Sequence, residues 1–335
     1  MKRTENPVAR FLVYFVLVAF TLYCVLPFAW TLLNSFKYPR DANAPVPKII
    51  GFEVTADNYV DLWLNVSGEE FAPVGRGLLV VTAVLVLLGV FAKRLPIPSG
   101  WIYGGIVATI VLVLVAIPRL VDTAEFYDYL LNSIIVTIGT LAISLSIGCL
   151  AGYGLARYSG VISVVILVGA LAFRALPKMT FVLPFYYLGQ LSGLYDTHIL
   201  LILTLVATNQ PFTMWMLRSF FMEIPREIEE AAMMDGAGRL ESFVRVIVPI
   251  AWPGIITTGL FTLLLAYNAF LIPKILTQAN WTLPVGIAQF TGGEDPGHIT
   301  LAAAGAVSTT LPLVFVIMFF QKYLIKGLAF GAVKG

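Results

Sequence analysis

Charge is what this chain has least of. Only 12% of its 335 residues are Asp, Glu, Lys or Arg, against 59% hydrophobic residues and a mean hydropathy of +0.89. Soluble domains carry about 25% charged residues. A water-soluble fold could not cover this much apolar side chain, so a polytopic membrane protein is implied. The two cysteines, Cys24 and Cys149, both lie inside apolar runs, which argues against a disulfide. The two histidines, His198 and His298, stand alone beside predicted loops and read as ordinary surface residues. No Cys/His spacing marks a metal site. No Gly-rich loop with a phosphate-binding Lys occurs, so nucleotide hydrolysis is not expected of this chain. A net charge of +2 is too small to suggest nucleic acid as a partner.

Long apolar runs are what is present. A spanning helix needs about 20 mostly apolar residues. Eight segments qualify or nearly so: 11–33, 77–92, 101–118, 130–152, 161–187, 195–218, 250–273 and 300–324. The first follows Lys2, Arg3 and Arg10 and resembles a signal peptide. It is too long for one and has no small-x-small cleavage site, so an uncleaved first span is expected. The fifth contains Pro177 and Pro184, which predicts a kinked helix. The second is short but can span with local thinning.

With the N-terminus inside, 13 of the 21 Lys and Arg fall on the cytoplasmic side and 8, Arg174 and Lys178 among them, on the other. That excess favours cytoplasmic termini. Lys93-Arg94 then marks the cytoplasmic tip of a hairpin between the two short spans. A short interfacial helix is predicted near Asn58 to Trp63, and irregular structure from Thr277 to Ile299.

The stretch 223–249 interrupts the apolar pattern with charge. Pro225 suits the first turn of a helix, and Glu227, Glu229 and Glu230 suit its N-terminal end. Ile224, Ile228, Ala231 and Asp235 fall on one helical stripe. Ala231 and Ala232 are small enough for close approach of a partner. Gly236 can take a positive φ and stop the helix. A second short helix is predicted from Arg239 to Val248, closed by Pro249. On charge alone this is a solvated loop or a membrane-surface hairpin.

Its spacing says more. Glu230-Ala231-Ala232, three residues, Gly236, then Val246-Ile247-Val248-Pro249 resembles the EAA loop of ATP-binding-cassette (ABC) importer permeases. Leu131-Asn132-Ser133, Ala151 to Arg157, Leu183 to Tyr187, Gly193 to Thr197 and the closing Gly327 to Gly335 extend the resemblance to the carbohydrate-uptake branch. It is similar there to the second permease of the maltose importer. Coverage is about 125–335, with weaker similarity over 8–65.

The resemblance implies an all-α ABC type I importer permease fold in a bacterial or archaeal inner membrane. It implies a second permease, two ATPase subunits that hold ATP and Mg, and an extracytoplasmic solute-binding protein as partners, besides membrane lipid. Glu230, Ala231, Ala232, Asp235, Gly236 and Pro249 correspond to the coupling loop. The family's glutamate matching Glu230 pairs with a basic residue of the ATPase. Gly331 and Lys334 match a tail that reaches the ATPase. The expected organisation is a first span with an external segment (1–76), an inserted hairpin (77–124) that the family lacks, and a permease core (125–335).

Asn209 and Gln210, before Pro211, are the best candidates for the solute path, because polar groups at a helix break usually face a cavity. Trp215, Tyr267 and Asn268 are further candidates, or equally helix–helix contacts. A non-sugar solute, a gradient-driven carrier and a non-transporting scaffold remain as alternatives. The carrier reading wants intramembrane carboxylates, and the predicted spans contain almost none.

Overall fold

The computed structural model describes residues 7–64, 121–158, 160–291 and 297–332, with isolated positions between 75 and 119. Its helices are α1 (Pro7–Ser35), α2 (Pro39–Ala42), α3 (Asp57–Trp63), α4 (Glu125–Arg157), α5 (Val161–Ala175), α6 (Lys178–Ser192) and α7 (His198–Glu223). There follow α8 (Arg226–Met234), α9 (Arg239–Ser242), a π-turn (Phe243–Ile247), α10 (Val248–Tyr267), α11 (Leu271–Leu276), α12 (Leu283–Gln289) and α13 (His298–Ala332). Among the described residues, β-structure is limited to two isolated bridges. Five stretches are long and apolar enough to cross a membrane, and α5 with α6 form a bent pair. The predicted spans 77–92 and 101–118, with their Lys93-Arg94 tip, fall largely outside the described residues. A Cβ on Gly89 would lie 3.9 Å from Ile106 Cδ1, so the two arms meet there.

Two compact units are distinguished: 1–127 with 287–308, and 128–286 with 309–335. In the first, Asn58 Nδ2 donates to Ser35 O at 2.9 Å and to Lys37 O at 2.8 Å. Those carbonyls at and beyond the end of α1 would otherwise be unpaired. Lys37 is buried, lies over Trp30 and Phe52, and donates to Asn34 Oδ1 at 2.8 Å. Burial pushes its pKa down. The expected interfacial helix forms as α3, but Asn58 and Leu62 are buried on one face, one helical turn apart. It is therefore packed on that face, while Asp57 and Asp61 stay exposed.

In the second unit, glycine lets helices approach. A Cβ on Gly152 would sit 3.0 Å from the backbone nitrogen of Arg218, so α4 and α7 run nearly backbone to backbone there. Val182, Leu201, Leu205 and Leu276 form one apolar cluster, and Leu217, Phe221, Phe243 and Ile247 another.

Several expectations need correction. The fifth segment is broken rather than kinked: α5 and α6 meet at 91°. The cause is Pro177, which forces Leu176 into an extended conformation (φ −65°, ψ 148°). Pro184 stays inside α6. Pro249 does not close a helix. The chain runs helically from Arg239 to Tyr267, because the π-turn hands the Phe243 carbonyl to the Val248 N–H and makes room for the proline ring. The stretch 277–299 is not wholly irregular, since α12 lies within it. Ser133 Oγ accepts from Leu283 N at 2.8 Å and anchors its start. His198 is no plain surface residue: its Nε2 lies 2.7 Å from Asn132 Oδ1, and Asn132 donates to Trp281 O at 3.0 Å. His298 is half-buried, edge-on to Phe290.

Asp196 clasps the turn before α7 to the segment after α11. At φ 60° it sits in the left-handed region, which Asp tolerates. Its carboxylate accepts from the backbone N–H groups of Gln278, Ala279 and Asn280 at 3.0–3.2 Å. Burial pushes the carboxyl pKa up, but these donors outweigh it and the net shift is downward. A lowered folded pKa stabilises the protein fully above the ordinary Asp value of about 3.9 and loses that effect as pH falls through the folded value. Asp196→Asn is thus expected to lower the melting temperature in detergent at pH 7. The difference from the parent should shrink below pH 4. A pH-independent difference would contradict the clasp.

Candidate functional site

The charged stretch folds as a knob between two spanning helices. Pro225 leads into α8, and α8 stops in a glycine-terminated cap. Gly236 stands at φ +94°, its N–H reaches Met233 O at 3.1 Å, and Ala237 N–H reaches Ala232 O at 3.1 Å. This pair of reversed bonds satisfies the last carbonyls of the helix and requires the glycine.

The stripe of Ile224, Ile228, Ala231 and Asp235 is not a buried face beyond Ile224. Ile228, Ala231 and Asp235 are exposed. Glu229 turns inward instead and is 8% exposed. Its Oε2 accepts from Arg157 Nε at 2.8 Å, and its Oε1 accepts from the Tyr153 hydroxyl. Arg157 also donates to Ile224 O at 3.0 Å, and Arg226 donates to Arg157 O at 2.8 Å. The end of α4 thereby grips α8 through a desolvated ion pair. Its signal in the sequence was Tyr153 and Arg157 of the Ala151 to Arg157 motif, one helical turn apart.

The outer face carries Glu230, Ala231, Asp235 and Gly236, all exposed, with Ala232 half-buried. Met234 and Leu240 stand out at 87% and 68% exposure. Both are apolar side chains left open on the same knob as the exposed Glu230 and Asp235 carboxylates. Beside it lies a cleft of about 590 Å³ lined by Tyr153, Arg157, Arg226, Glu230, Met233 and Arg239. Pro249 is exposed at the start of α10.

The family described as "Binding-protein-dependent transport system inner membrane component" matches residues 78–330. The chain belongs to that family. This permease is 37% identical over 216 residues to the trehalose transport system permease protein SugB of Mycobacterium tuberculosis, covering 63% of this chain and 78% of that protein. It is 34% identical to the trehalose/maltose permease MalG of Thermococcus litoralis, covering 64% and 77%. It is 34% identical to the diacetylchitobiose permease NgcG of Streptomyces coelicolor, covering 63% and 71%. Among solved structures, a bacterial ABC transporter involved in import of the acidic polysaccharide alginate superposes with a TM-score of 0.66. It is 17% identical over 96% of this chain and 99% of that one, a likeness of fold. The permease is thus an integral inner-membrane component that works with other ABC components.

The predicted path residues scatter. Asn209 is buried and lines a cavity of about 180 Å³ between α7 and the α5–α6 break. Gln210 turns away and donates to Ser144 O at 3.3 Å. The Tyr267 hydroxyl donates to Thr309 O at 3.0 Å. Asn268 caps Leu264 O, and Trp215 is 42% exposed. Gly331 lies in the last turn of α13, and Lys334 is outside the described residues.

Proposed function

We propose that this permease is a membrane-spanning subunit of an ATP-driven importer that passes a carbohydrate delivered by an extracytoplasmic binding protein. The knob carries the reading. It is held to the α4 end by a buried ion pair, and it presents Glu230 and an apolar patch outward. Such a body can pass rigid motion from a soluble motor to spanning helices. ATP and Mg sit in two partner ATPase subunits, and a second permease completes the path. The sugar-carrying relatives support carbohydrate as the cargo class. The permease has no ATPase site of its own.

Co-purification with the ATPase subunits tests this. Hydrolysis is expected only in the assembled complex, with stimulation by the solute-loaded binding protein. Activity that tracks this chain alone would refute it. In this reading the knob lies in the cytoplasm, as the excess of Lys and Arg on that side favours. Met234→Cys, in a background with Cys24 and Cys149 replaced by Ser, is expected to react with an impermeant maleimide in inside-out vesicles and not in intact cells. The reverse pattern would invert the topology.

A further inference from the structure

The break between α5 and α6 places two cations where a membrane protein rarely keeps them. Arg174 and Lys178 flank Leu176-Pro177, and both are exposed in this chain. The fifteen residues of α5 measure about 22 Å along their axis at 1.5 Å per residue, short of a hydrocarbon core of about 30 Å, so α5 alone does not cross it and the break falls within the bent span. Asn209 approaches from the other side, about 17 Å along α7, a helix about 39 Å long. One cavity brings this break and the middle of α7 together. Arg174 and Lys178 therefore share a cavity with the middle of a spanning helix.

The cavity that joins them has a one-sided chemistry. Its polar lining residues are Arg174, Lys178, Thr208 and Asn209, with no carboxylate among them. Neither cation has an acidic partner among the described residues. Arg174 leans on the ring of Phe212, 4.5 Å from its centroid, which leaves its edge free to donate. Asn209 Nδ2 is buried and meets no acceptor. Thr208 already donates to Thr204 O at 3.0 Å. Two fixed positive charges and an idle amide donor, at a helix break within a bent span, have the make-up of a solute site awaiting an acceptor. About 180 Å³ holds roughly six waters at ~30 Å³ each, the size of an acidic group with part of one sugar ring.

We propose that this cavity is an anion-holding station on the solute path, and that the carried carbohydrate bears an acidic group such as a carboxylate, sulfonate or phosphate. Arg174 and Lys178 hold the acid and Asn209 donates to one of its oxygens. This rests on the importer reading for its place in transport, but the charge of the cavity can be tested without it.

The test uses the assembled transporter in proteoliposomes, with Cys24 and Cys149 replaced by Ser and Leu176→Cys at the cavity rim. Anionic and cationic methanethiosulfonates are compared, each rate corrected by its rate with free mercaptoethanol. The anionic reagent is expected to react at least tenfold faster, and Arg174→Gln with Lys178→Gln should abolish the preference. Equal rates, a preference for the cation, or no reaction would overturn the station. A second arm measures ATP-dependent uptake of glucuronate against glucose and galacturonate against galactose, through the binding protein of the same assembly. Uptake of the acid members, lost in the double Gln variant while stimulated ATP hydrolysis persists, is expected. Uptake of a neutral sugar that the double variant leaves unchanged overturns the station but keeps the importer. An anionic preference in labelling without ATP-dependent uptake of any kind keeps the station and sinks the importer.

Discussion

Glu229→Ala is expected to destabilise the folded permease by about 3–5 kcal/mol, the usual penalty for stripping one partner from a desolvated ion pair. The side chains of Arg157 and Glu229 are only 15% and 11% exposed. Removing the carboxylate leaves the guanidinium buried among Phe221, Ile224 and Tyr153 without its counter-charge. Its Nη2 already lacks a partner, and the bonds left to it would be those of Nη1 to the neutral Ile224 and Phe221 carbonyls. The measurement is the melting temperature and monodisperse yield of the purified chain in detergent. Replacing both partners, Arg157→Met with Glu229→Leu, should recover much of the loss, because paired apolar side chains can substitute for a buried ion pair. Recovery will be incomplete, since the Ile224 carbonyl loses its donor as well. Tyr153→Phe removes one hydrogen bond to a charged group and should cost less, about 1.5–3 kcal/mol. A melting temperature unchanged by Glu229→Ala would show that the grip is not structural.

Glu230→Lys and Gly236→Val are expected to abolish coupled transport while leaving the chain in the membrane. Their reasons differ. Glu230 is exposed and held by no bond that the fold needs, so its loss falls on docking. A charge-assisted contact is worth roughly 1.5–3 kcal/mol, one to two decades of affinity at about 1.4 kcal/mol per decade. Reversal adds repulsion and should be worse than Glu230→Ala. Gly236 has open space around a would-be Cβ, so the damage is conformational rather than steric. At φ +94° a β-branched residue is a backbone outlier, costing on the order of 1–3 kcal/mol. The knob would then re-form at a different angle. Solute-stimulated ATP hydrolysis and uptake should be measured together. A charge-reversed ATPase partner should rescue Glu230→Lys and leave Gly236→Val impaired. Normal transport by both variants would remove the coupling role from this loop.

The large apolar helices were legible because an apolar run of about 20 residues suffices to place a span. Gly236 was legible because a helix stop needs a residue that tolerates positive φ. What escaped was contact over long separation. Glu229 and Glu230 are neighbours of the same type, and nothing local says which one turns inward. That is decided by Arg157, 72 positions earlier, across the close approach of α4 and α7 at Gly152. His198 escaped for the same reason, since Asn132 lies 66 positions away. Pro249 misled because a proline's cost depends on the turn before it, and a π-turn has no obvious residue signature. Pro177 and Pro184 look alike in the chain, yet only the first breaks the span.

The π-turn also makes the knob lopsided. On one side Ile224 and Pro225 interrupt the helix between α7 and α8, with the Ile224 carbonyl held by Arg157. On the other, Arg239 to Tyr267 is a single rod of 29 residues, about 44 Å long. Under the proposed coupling role the knob is a crank that drives through the rod. The extra residue of the widened turn sets the phase of that crank, since one residue is about 100° of helical rotation at 3.6 residues per turn. Deleting Val244 would tighten the turn and leave the rod intact, but it would aim Leu240 and Arg239 at a different face. A push from below would still arrive in the membrane, delivered from the wrong bearing.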